Sequence, residues 1–91
     1  MPEFMMLMKG AGTNGDWDTY VKKMIEQGKF RGGSALGNGV CVGKSDSEQP
    51  CVVTGFMRFD AENIDQVRAL LEGNPVYEAG GEIELLELIE G

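Results

Sequence analysis

Few side chains in this sequence could do chemistry, and the commonest proton carrier is missing: there is no histidine among the 91 residues. Proton exchange near neutral pH therefore falls to carboxylates, lysines or thiols. Thr54, Phe56 and Arg58 alternate along one apolar run, which places all three on one face of a strand. An arginine there can hold a carboxylate through two parallel hydrogen bonds, or it can pair with a late glutamate such as Glu84. Arg31 stands before Gly32 and Gly33. That is either a cation beside bare backbone N–H groups, fit for an anion, or a glycine-bulged edge strand with a solvated arginine. Trp17 can wall a ligand pocket or simply fill the core with Tyr20. Asp16 can act as a proton donor or cap a helix.

The two cysteines, Cys41 and Cys51, flank a polar turn and could face each other across a hairpin. A nucleophilic role would need a neighbouring base, and no histidine can supply one. Their spacing fits no zinc site, and no strand–GxxxxGK[ST]–helix order exists to cradle phosphates. The methionines Met5, Met6, Met8, Met24 and Met57 read as adaptable core fillers. Nothing implies a cofactor.

These residues must be positioned by a short list of elements. Residues 4–8 are a compact apolar run, read as an inner strand. A glycine-rich loop follows. Trp17, Tyr20, Val21, Met24 and Ile25 then recur at helical spacing, with Asn14 or Asp16 as the cap and Gly28 as the left-handed stop. Residues 29–39 contain four glycines and predict a bent or bulged edge strand. Residues 40–42 resume strand character. A polar turn over 43–50 leads into residues 51–59, predicted as the central strand and the return arm of an antiparallel hairpin. Asp60 or Asn63 caps a second helix with Ile64, Val67, Leu70 and Leu71 inward, and Gly73, Asn74 and Pro75 end it. A connector with Val76 and Tyr77 leads to a last strand at residues 82–89. The order β-α-β-β-α-β predicts an α+β, ferredoxin-like domain spanning 1–91: a four-stranded antiparallel sheet with two helices on one face.

Composition narrows the partners. A formal net charge of -7 repels phosphate backbones and anionic membranes, so neither nucleic acid nor a membrane surface is expected. The opening apolar run is too short to span a bilayer and lacks a basic flank, which predicts a cytoplasmic protein with reduced thiols. The strands predict one partner directly. Helices cover one face of such a sheet, and the other face should be polar if it meets water. Instead residues 4–8 are apolar on both faces, as is the central strand, while Ile83 and Leu85 oppose Leu86 and Leu88. The simplest cover is the sheet of a second copy, packed about 10 Å away.

MMLMKG, GKFRGGSALG, TGFMRFDAENIDQVRALLEGNP and AGGEIELLEL, taken together, resemble the YCII-related domains. The most specific part is Gly55-Phe56, the capped second helix, Asn74-Pro75 and Gly80-Gly81. The resemblance implies a ferredoxin-like protomer that dimerises through its sheets into a dimeric α+β barrel. It also implies a comparison: some members carry a histidine near the first helix and an aspartate before the proline, proposed as an acid–base pair. This sequence has Asn74 in the aspartate's place, and its 45–53 stretch lacks the Asp-Gly-Pro-Phe motif of the larger branch. An amide cannot exchange protons near neutral pH, so no catalytic residue is assigned. The reading is a homodimeric domain that binds a small anionic or aromatic ligand or serves as a scaffold. Arg58, Thr54, Phe56, Arg31, Asn74 and Trp17 are its candidate ligand-binding residues. The alternative is a cofactor-free enzyme on a small organic acid or polar aromatic; a third option is a module presenting its acidic last strand to a protein.

Overall fold

The structure, a computed structural model, describes residues 2–10, 16–45 and 48–89. The chain runs β1 (Glu3–Lys9), α1 (Trp17–Glu26), β2 (Phe30–Ala35), β3 (Val40–Cys41), β4 (Gln49–Pro50), β5 (Val53–Asp60), α2 (Ile64–Ala69), α3 (Pro75–Glu78) and β6 (Glu82–Leu88). Four strands form one antiparallel sheet in the order β2-β5-β1-β6. β5 lies between β1 and β2, and β1 lies between β5 and β6. Each βαβ unit is thus split by a strand of the other, which is the ferredoxin-like plan.

The sheet faces follow from the register. Met6 pairs with Met57 and with Leu85, and Phe4 pairs with Phe59, so these side chains share one face. That face packs on Tyr20 and Met24 of α1, on Val67, Leu70 and Leu71 of the second helical segment, and on Val76. Met6, Met24, Phe59 and Val67 are fully buried there. On the opposite, open face stand Met5, Leu7, Phe56, Leu86 and Leu88, alternating with the buried set as a strand requires. The inner strands are β1 and β5, as their doubly apolar patterns predicted.

Caps set the helix boundaries. Asp16 Oδ1 accepts from Thr19 N at 2.9 Å, and Asn63 Oδ1 accepts from Gln66 N at 3.0 Å. Gly28 (φ +71°) and Gly73 (φ +87°) take left-handed conformations after α1 and α2. Two apolar positions of the expected stripes, Ile25 and Ile64, sit at the margin and are exposed.

Three expectations are corrected. The central strand starts at Val53 and not at residue 51, and it runs through Asp60. Its hairpin partner is β2, with a bulge between Phe30 and Gly32, while β3 and β4 pair only with each other as a separate two-stranded hairpin. The long excursion at 36–52 leaves the sheet because Pro50 has no N–H to continue a ladder and Gly37 and Gly39 favour departure. The segment expected as a connector is the short helix α3: Asn74 caps it and Pro75 supplies a ready-made first turn.

Candidate functional site

Under α1 the helix-facing side of the sheet is not filled. β2 presents Gly33 and Ala35 there, where Phe30 is the last large side chain. Gly33 is pinned to its size: a Cβ would meet Phe56 O at 2.4 Å and Met57 Cα at 3.0 Å. The residues left out leave a cavity of about 640 Å³ between α1 and the β2–β5 edge, within the ordinary range for small-molecule sites. Trp17 and Val21 of α1 form one wall and Met8, Phe30, Met57 and Val76 the floor and side, with Gly10, Ser34, Ala35, Thr54, Gly55 and Phe56 completing the lining. Trp17 stands edge-on to Tyr20, with ring centroids 6.2 Å apart and planes at 76°.

The hydroxyls of Thr54 and Tyr20 near this cavity already have partners. Thr54 Oγ1 lies 2.7 Å from Gly10 O and 3.2 Å from Met8 O, tying β5 to the irregular end of β1. Tyr20 Oη donates to Leu70 O at 2.6 Å, and burial pushes its pKa up despite a hydrogen bond from Asn74. Asp16 is held below its ordinary value by hydrogen bonds from the Thr19 hydroxyl, at 2.6 Å, and the Thr19 backbone. A carboxyl so stabilised as an anion is the reverse of a proton donor, so capping is its role.

A second cleft, of about 610 Å³, lies at the other end of the open face, lined by Pro2, Glu3, Arg31, Arg58, Asp60, Glu87, Leu88 and Ile89. Arg58 pairs with Glu3 through Nε, and Arg31 Nε lies 3.2 Å from Asp60 Oδ2. Within the protomer Arg58 therefore takes Glu3, while Glu84 lies 3.3 Å from Lys9 Nζ. Two arginines here face three carboxylates. An incoming anion would have to displace Glu3 or Asp60 and meet net negative charge, which disfavours it.

The six candidate residues therefore separate. Trp17, Thr54 and Phe56 border the cavity under α1, Arg31 and Arg58 lie in the charged cleft, and Asn74 lines neither. Asn74 is fully buried: its Oδ1 accepts from Val76 N at 3.0 Å and Tyr77 N at 3.1 Å, and its Nδ2 approaches Met8 Sδ at 3.6 Å. Met8, Val21, Phe30, Met57 and Val76 also line the cavity, although their spacing in the sequence reads as core. The available signal was the small-residue run GGSA lying beneath a helix with Trp17 and Val21 on its inner face. The cysteines are not opposite each other. Cys41 pairs with Gln49, while Cys51 N donates to Gly39 O at 3.0 Å, and both thiols are free and exposed.

Among the described residues no helix is long and apolar enough to cross a membrane. No family model and no curated protein matches the sequence. Among solved structures, the chain is similar to 5-chloro-2-hydroxyhydroquinone dehydrochlorinase (TftG) from Burkholderia phenoliruptrix AC1100, in complex with 2,5-dihydroxybenzoquinone. The TM-score is 0.60 at 19% identity, covering 98% of this chain and 95% of that one. At that identity the likeness speaks for the fold, and it supports the sequence resemblance at the level of the ferredoxin-like protomer.

Proposed function

We propose that the chain is a homodimeric YCII-like domain that binds a small, flat, largely apolar ligand, such as an aromatic ring, in the cavity under α1, without catalysing a reaction on it. The observation that carries the reading is that cavity: apolar walls, an aromatic indole on one side, and the neighbouring Thr54 and Tyr20 hydroxyls already bonded within the protein. An aromatic guest gains from Trp17 and the methionines Met8 and Met57 and leaves the Thr54 and Tyr20 hydroxyl bonds in place. An anionic guest is disfavoured by the charge balance of the second cleft. Free thiols at Cys41 and Cys51 suit a cytoplasmic location.

Trp17 is the single tryptophan and reports on the site directly. Titration with 2-naphthol should change its emission saturably and raise the melting temperature. Ala35→Phe, which fills the cavity from β2, should abolish both effects while leaving the circular dichroism spectrum unchanged. Equal binding by wild type and Ala35→Phe would refute the site.

A second reading, a cofactor-free enzyme on a polar aromatic, is favoured by the neighbour's complex with 2,5-dihydroxybenzoquinone. It predicts time-dependent spectral change of a hydroxyhydroquinone beyond its rate in buffer. Binding without such change supports the non-catalytic reading.

A further inference from the structure

The excursion between β2 and β5 has no core of its own. Every described residue from 36 to 52 is exposed. Within it, Val40 pairs with Pro50 and Cys41 with Gln49, which divides the hairpin into two faces. Val42 and Val52 follow Val40 and Pro50 at two-residue spacing. Continued, that register puts Val42 and Val52 on the face of Val40 and Pro50, with Glu48 and Asn38 beside them; Val40, Val42 and Val52 are exposed by 60%, 65% and 61%. A free two-stranded hairpin is at best marginal in water, so this one needs a surface to rest on.

Two magnitudes identify that surface. The radius of gyration is 14.0 Å and the extents are 44 × 37 × 19 Å, whereas a compact chain of this length has a radius of about 12 Å. The protomer is a flat two-layer slab with a projection. The open sheet face offers an apolar centre, Met5, Leu7, Phe56 and Leu86, with ion pairs toward both ends, the layout of an interface core and rim. Four strands of seven residues, however, present only about 14 side chains on one face, against about 20–30 residues a side in a stable complex. Sheet-to-sheet contact alone falls short. The described residues of the hairpin add about seven side chains on one face, counted twice per protomer in a two-fold assembly because each copy both donates an arm and receives one.

We infer that the 36–52 hairpin is a dimerisation arm whose valine face lies on a second copy of this chain, extending the interface formed by the open sheet faces. The inference rests on the homodimer proposed above. Sedimentation velocity across micromolar concentrations tests it, comparing the wild type with V40T/V42T/V52T on the arm and M5K/L86K on the sheet. Hydrogen exchange on the wild type follows the Val40 and Cys41 amides above and below the dissociation constant. The expected result is a wild-type dimer, monomers for the sheet variant, and dissociation at least about tenfold easier for the arm variant, with arm amides protected only in the dimer. A wild-type dimer with an unchanged arm variant and unprotected arm amides overturns the arm and leaves the sheet-face dimer standing. A monomeric wild type overturns both.

Discussion

Replacing Asn74 with alanine tests whether this residue holds the protein together or serves a ligand. The side chain has 0% exposure, and its carbonyl oxygen accepts from two backbone amides that begin α3, at 3.0 and 3.1 Å. Val76 is 2% exposed, so its N–H cannot turn to water once the acceptor is gone. An unmade buried donor costs about 1–3 kcal/mol. The Tyr77 N–H belongs to a half-exposed residue and adds about 0.5–1 kcal/mol, and the small void beside Met8 adds about 1 kcal/mol. Together these come to about 2.5–5 kcal/mol, a large part of the roughly 5–14 kcal/mol expected for a domain of this length. In urea, with a slope of about 1.2 kcal/mol per molar, the midpoint should fall by about 2–4 M at unchanged slope. Asn74→Ser retains one oxygen acceptor and should recover part of the loss. A midpoint within about 0.4 M of wild type would refute the structural role, and would return Asn74 to the pool of ligand-binding candidates.

Other outcomes follow from neighbouring geometry. Tyr20→Phe removes the bond to Leu70 O and should cost about 1 kcal/mol by urea melting. Because the folded-state pKa of Tyr20 is raised above the ordinary 10.0, its contribution is whole below pH 10 and is lost as pH rises through the folded value. The wild type should thus lose stability in alkali more steeply than Tyr20→Phe. Asp16→Ala should fray the first turn of α1 and shift Trp17 emission to the red; an unchanged spectrum would refute the cap. Since the Asp16 pKa is lowered, the cap's contribution is present above the ordinary carboxylate range and is lost only as pH falls through the lower folded value. Gly81→Ala would bring a Cβ within 2.6 Å of Val76 Cγ1 and 2.7 Å of Lys9 O. It should destabilise by about 1–3 kcal/mol in the same denaturation assay.

Much of the fold is written locally in the sequence. Strand runs apolar on both faces marked β1 and β5 as inner strands, and alternation in β6 put Ile83 and Leu85 opposite Leu86 and Leu88. Asp16 and Asn63 could be read as caps because a cap bonds only two or three residues ahead. Glycines marked the bulge at Arg31 and the stop at Gly28. Each of these signals acts over one turn or one ladder step, so neighbours in sequence suffice to express it.

The candidate site was legible only in part, because partner choice is set at long range. Arg58 takes Glu3, fifty-five residues away, since strand register places them together and Lys9 occupies Glu84. Asn74 looked like a substituted catalytic position; folding buries it against Met8 and makes it a cap. The cavity exists because a strand with Gly33 and Ala35 happens to pass beneath Trp17 and Val21, which no periodicity reveals. The sequence determined a two-faced, capped βαββαβ chain. Tertiary structure decided where its gaps and unpartnered surfaces lie, because voids and ion pairs depend on which elements meet, and that is fixed only when the sheet closes around β5, the strand that brings Thr54, Phe56 and Arg58 to their separate neighbours.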